Sequence, residues 1–168
     1  AAIEAQVVVS RSFAVWTALQ RGSPESFTTQ RKADCYCNLR DDASDQIFRG
    51  WTGESSHPEW VSAVASTGQD VLTHGGGVAL GLHSSSSGGA TENYADVFGG
   101  VGYPYLTTVD DSPAFSDSAQ DPHVSWKAGY SQANLAATYG FSWVFDAEVV
   151  DRNPSGSART IRIAGIVD

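Results

Sequence analysis

Tyr139-Gly140-Phe141-Ser142-Trp143-Val144-Phe145-Asp146-Ala147-Glu148-Val149 is the stretch from which the fold is read. Its odd positions Tyr139, Phe141, Trp143, Phe145, Ala147 and Val149 are apolar, and the even positions include Ser142, Asp146 and Glu148. Arg152-Asn153-Pro154-Ser155-Gly156-Ser157 follows as a cluster of turn-forming residues, and Ile161 and Ile163 then alternate with Thr160 and Arg162. Alternation with period two on both sides of a turn predicts an antiparallel hairpin with one buried face.

Residues 6–20 read the same way, with Val7, Val9, Phe13, Val15 and Leu19 on one face. A turn signal, Arg21-Gly22-Ser23-Pro24-Glu25, leads into residues 26–40, where Phe27, Ala33, Cys35, Cys37 and Leu39 face one way. Two terminal hairpins predict a mainly β chain, an antiparallel β-sandwich or partly closed barrel. Val7, Val9, Phe13, Val15, Phe141, Trp143 and Phe145 form its expected core. One short helix is predicted near 57–66, with Ser56 as N-cap and Glu59 completing a capping box. Val78, Leu80 and Leu82 suggest a short strand after the glycine-rich turn 75–77, and Val124 to about Tyr130 suggests another. Ser84 to Ala90 reads as a loop.

At 168 residues the expectation is a single β-rich domain over 1–168, large enough to fold without disulfide staples. The formal charge is −9, from 19 acidic against 10 basic residues. Lysine occurs only at positions 32 and 127. This composition argues against a nucleic-acid groove, which needs a basic patch, and against docking on anionic lipid. No run of apolar residues approaches the length of a membrane span. No basic segment followed by an apolar core opens the sequence, so no signal peptide is expected. The chain begins with Ala1 and contains no Met, as fits a processed N-terminus or an excised domain.

The motifs with chemical potential are few. Cys35 and Cys37 are spaced too closely for a usual zinc pair, and are expected as unbridged apolar side chains of a strand. Asp41-Asp42-Ala43-Ser44-Asp45 has the spacing of a magnesium–diphosphate motif, but that motif belongs to long helical bundles, so a solvated turn is expected. Asp110, Asp111, Asp117 and Asp121 cluster in a turn-rich segment and are candidate calcium ligands, since calcium takes several oxygen donors; no other cofactor is indicated. Gly75-Gly76-Gly77 lacks the ending of a phosphate loop. No Gly-x-Ser-x-Gly elbow surrounds Ser84–Ser87.

Aromatic residues supply the remaining candidates. Trp16, with Val8, falls on the otherwise polar face of the first predicted strand, and Trp51 lies between Gly50 and Thr52. Val8, Trp16 and Trp51 are therefore interface candidates. Trp51, Tyr103 and Tyr105 are candidate ligand-binding residues. With no motif that names a reaction, the sequence favours a non-enzymatic, self-assembling structural protein, such as a virion, capsid, phage-tail or extracellular filament subunit. Such a protein would be a homo-oligomer or would pair with other structural subunits, on a virion or extracellular surface. The alternatives are a glycan-binding module, or a small hydrolase using carboxylates or His83 and His123.

Overall fold

A computed structural model describes residues 1–47, 52–113 and 127–167. Helix outweighs strand among them, at 38% against 17%. The elements are α1 (Ala2–Arg21), a short 3₁₀ turn (Pro24–Ser26), α2 (Thr29–Asp34), α3 (Thr52–Ser56), α4 (Pro58–Ser66), β1 (Thr73–His74), β2 (Gly77–Val78), α5 (Tyr94–Phe98), α6 (Gln132–Tyr139), β3 (Trp143–Arg152) and β4 (Ala158–Ile166). The described strands form two separate two-stranded sheets, β1–β2 and β3–β4. A sandwich or barrel is thereby excluded as the fold. The chain divides into two compact units, Ala1–His83 and Ser84–Asp168.

The largest correction falls at the N-terminus. Residues 6–20, expected as a strand, belong to the 20-residue helix α1. Val7, Val8 and Val9 are consecutive, so an apolar residue recurs at every spacing and period two is satisfied by accident. The same residues also satisfy the helical spacing, as in Ile3–Val7, Val9–Phe13 and Val15–Leu19. Twenty residues without Gly or Pro exceed a usual strand. Arg21 in the last turn and Gly22 at positive φ (74°) are the stop signals of a helix. Residues 26–40 are likewise not a strand: Thr28 accepts a hydrogen bond from the Arg31 N–H and starts α2.

Within the N-terminal unit α1 packs against α4 and against β2. Ser12 is fully buried. Its hydroxyl donates to Val8 O (2.6 Å) and accepts from the Leu72 N–H (2.8 Å). Leu72 O in turn accepts from Ala79 N–H (2.8 Å), extending the β1–β2 pairing by one step. Gly75 and Gly76 both hold positive φ, 58° and 83°, as a two-residue hairpin turn requires. The backbone at Gly81 lies so close to α1 that a Cβ there would meet Val9 O at 2.7 Å. Ala79 and Leu80 are buried beside it.

The helix expected near 57–66 is α4, but its cap differs. His57 is the N-cap and Pro58 the first helical residue, a position where a missing N–H costs nothing. The Glu59 carboxylate contacts His57 Nδ1 (3.2 Å) and does not close a box with Ser56.

In the C-terminal unit the expected hairpin is present. β3 and β4 pair antiparallel, with Ala147 opposite Ile163 and Val149 opposite Ile161. Two features depart from expectation. Tyr139 ends α6, which Ser131 caps by accepting from Asn134 N–H (3.1 Å) and Gly140 terminates in the left-handed conformation. The apolar face is also not a sandwich core: Trp143 is 55% exposed and Phe145 65% exposed, while Val144 on the opposite face is buried. The register shifts between Val144 and Asp146, so the alternation does not run unbroken along β3. Residues 127–130 form no strand, and 124–126 lie outside the described residues.

Two stability outcomes follow. Ser12→Ala removes the hydroxyl with little change in volume and leaves the Leu72 N–H without its acceptor, so unfolding free energy should fall by about 1–3 kcal/mol in a denaturant titration. Trp143→Ala should cost less than about 1.5 kcal/mol, because a half-exposed ring forfeits only part of the 3–5 kcal/mol of a core tryptophan; a loss in the full range would show the ring to be covered.

Candidate functional site

An open cavity of about 490 Å³ lies in the N-terminal unit where the first turn of α1 meets α4. Ala2, Ile3 and Ala63 give it apolar walls, and the Ala1 ammonium, Glu4, Glu59, Ser62 and Ser66 give it polar ones. The helices explain the arrangement. Glu4 lies in the first turn of α1 and Glu59 in the first turn of α4, where a negative charge faces the positive end of the helix dipole.

Both carboxyls are held in the ionised form. The terminal ammonium of Ala1 (3.1 Å), and then the Ser66 hydroxyl (3.1 Å), keep Glu4 below the usual carboxylate range. Glu59 is lowered by its own backbone N–H and then by His57. At neutral pH the cavity therefore holds two carboxylates, Glu4 paired with the Ala1 ammonium and Glu59 beside His57. Such groups accept protons or stabilise developing positive charge; neither is poised as a proton donor, which needs a raised pKa.

A second polar constellation holds the loop after α2. Arg21 grips Asp45 through both guanidinium nitrogens at 2.6 Å, and Asp45 is 1% exposed at its side chain. Arg40 N–H donates to the same carboxylate (2.7 Å), Arg21 also donates to Asn38 O, and Asn38 Nδ2 donates to Gly22 O (2.6 Å). The end of α1 is thereby tied to residues 38–45. Arg21 draws the Asp45 pKa down, with a smaller contribution from the Arg40 N–H. The segment Asp41–Asp45 is thus not simply a solvated turn.

Cys35 and Cys37, expected to be unbridged, form a disulfide with each other. The strand geometry that argued against it is absent: Cys35 is the C-cap of α2 and the chain turns directly after it.

The other sequence candidates are dispersed. Val8 and Trp16 lie on α1, half-buried. Trp51 lies outside the described residues, as do Asp117, Asp121 and His123. Asp110 accepts from the N–H and hydroxyl of Ser112 (both 3.1 Å), and Asp111 accepts from Ser87 Oγ (2.6 Å). Among the described residues no group of three or more His, Cys, Asp or Glu side chains could hold a metal ion. Tyr103 and Tyr105 are neighbours, with ring centroids 5.6 Å apart. The cavity carboxylates carry no sequence signal beyond the capping role of Glu59, because the alternation over residues 6–20 mimics a strand and nothing in the sequence pairs Glu4 with α4.

The fold and cavity define an α+β chain with an anionic, helix-built recess in its N-terminal unit. A family model described as SpoIID: Stage II sporulation protein matches residues 1–74. That match covers α1 to β1, with both helices of the cavity. The comparison with curated proteins gave no match. The sporulation family is one of cell-wall lytic enzymes, which overturns the expected virion, capsid or filament subunit; that expectation rested on a β-sandwich, and the described residues form only two two-stranded sheets. Among the described residues no helix is long and apolar enough to cross a membrane.

The Arg21–Asp45 pair has a pH signature. The lowered Asp45 pKa adds stability that is present above the unfolded value of about 3.9 and is lost as pH falls through the folded value. Asp45→Asn should remove this acid-limb dependence and cost about 1.5–3 kcal/mol by weakening the charged hydrogen bonds from Arg21, measured as unfolding midpoints between pH 2 and 7.

Proposed function

We propose that the protein is a cell-wall lytic enzyme whose substrate is the glycan of the wall. The observation that carries this reading is the family match over residues 1–74, which falls on the N-terminal unit and its anionic cavity. The chemistry of the cavity is compatible with it. Cleavage of a glycosidic bond builds positive charge at the sugar carbon, and ionised carboxylates stabilise such charge. Apolar walls beside two anions also suit a sugar ring, which is apolar on its faces and polar at its rim. The proton donor that such a reaction needs is not assigned to Glu4 or Glu59, because both are held as anions.

The acidic character of the chain, −9 overall, fits an enzyme that must not stick to the polyanions of a cell surface.

The test is incubation of the full-length protein with purified wall sacculi. Turbidity should fall, and sugar-containing fragments should appear in the soluble fraction. Release of peptides alone would move the cleavage to the cross-links, and the absence of any soluble fragment would overturn the reading.

A further inference from the structure

The C-terminal unit carries a cluster of aromatic rings that the proposed cavity does not use. Tyr94 opens α5 and Phe98 closes it one turn later, so the spacing of four places both on one face. Their centroids are 4.8 Å apart. Gly99 and Gly100, both at positive φ (73° and 70°), reverse the chain after the helix. The returning loop is pinned at two points: Tyr94 N–H donates to Leu106 O (3.0 Å), and Thr108 N–H donates to Asn93 Oδ1 (2.8 Å). This return sets Tyr103 edge-on against Tyr94 (4.8 Å, 84°) and Tyr105 against Tyr103.

The result is a continuous row, Phe98–Tyr94–Tyr103–Tyr105. It is not a closed core. Phe98 is 63% exposed, and Val97 and Val101 beside it are exposed too. The row is also amphipathic: three of its four rings carry hydroxyls, and Asn93 and Asp96, hydrogen-bonded to each other at 2.8 Å, sit at its helical end. The three tyrosines are half-buried, and burial first, then the neighbouring phenols, push the Tyr103 pKa up.

We infer that this aromatic row is a binding subsite for a glycan strand, holding the polymer by ring stacking with the exposed Phe98 at its open end. The inference rests on the reading of the protein as a cell-wall lytic enzyme. Rigid aromatic faces with polar tips match the alternation of C–H faces and hydroxyls on a saccharide. The alternatives fit less well. The net negative charge and scarce lysine disfavour nucleic acid. An amphipathic helix needs a longer apolar groove than two valines and one phenylalanine provide.

The experiment is co-sedimentation of the full-length protein with two preparations of insoluble wall material, one intact and one stripped of its stem peptides. Phe98→Ala and Phe98→Leu are compared with the parent; the leucine variant keeps apolar bulk and removes only the ring. Both variants should bind about threefold to tenfold more weakly, equally on both preparations. Unchanged binding by either folded variant overturns the inference, as does binding that requires stem peptides. Digestion of the same material by the parent protein is read in parallel. Digestion with unchanged variant binding removes the subsite and leaves the enzymatic reading. Weakened variant binding without any digestion does the reverse.

Discussion

The buried hydroxyl of Ser12 is the contact on which the N-terminal unit depends. A serine in the middle of a helix is a mild liability, because its side chain competes for backbone hydrogen bonds. Here the competition is resolved inside the protein. The hydroxyl donates back to Val8 O and accepts the N–H of Leu72, so both of its capacities are used where water cannot reach. Arg11, one residue earlier, donates to Asp70 O (2.9 Å) and Thr67 Oγ1 (3.1 Å). Two adjacent side chains of α1 thus fix the whole passage from the end of α4 to the start of β1. This passage orients α4 against α1, and the recess holding Glu4 and Glu59 forms between the first turn of α1 and the face of α4 that runs from Glu59 to Ser66.

Electrostatics completes the unit from the other end of the same helix. Arg21 and Asp45 form a two-pronged pair with the carboxylate nearly inaccessible to water. Taking such a pair out of water is costly, and it is tolerated only when the remaining acceptor capacity is met. The Arg40 N–H meets it. Together with Asn38 and the Cys35–Cys37 bridge, this gives residues 35–45 a fixed course without regular secondary structure. The loop is ordered by polar contacts, while the recess is formed by helix packing.

What the sequence revealed depended on whether a pattern had one interpretation or two. The β3–β4 hairpin was legible because Asn153-Pro154-Ser155-Gly156 separates two alternating runs and nothing else accounts for both. The helix at α4 is legible from its apolar stripe, while the capping box expected at Ser56 and Glu59 is replaced by an N-cap at His57. α1 reads as a strand because three successive valines satisfy any period, and Arg21-Gly22 reads as a turn between strands where it is the stop of a helix. α6 was missed because its apolar residues are mostly alanine, which carries little periodic contrast; Ser131 and Gly140 were its only strong marks. The candidate site was hidden for a different reason. Glu4 and Glu59 are 55 positions apart, and only the packing of α1 on α4 unites them. The aromatic row was half legible: Tyr103 and Tyr105 stood out, whereas Tyr94 and Phe98 needed a helix between them to share a face.

Amide hydrogen exchange at Leu72 tests this account most directly. Leu72 precedes a two-residue strand, and its side chain is partly exposed, so in an untethered segment its N–H would exchange within the range of an open loop. If Ser12 holds it, its protection should match that of the central α1 amides and fall in Ser12→Ala. Exchange at loop rates in the parent protein would contradict the claim that α1 organises the N-terminal unit through that hydroxyl.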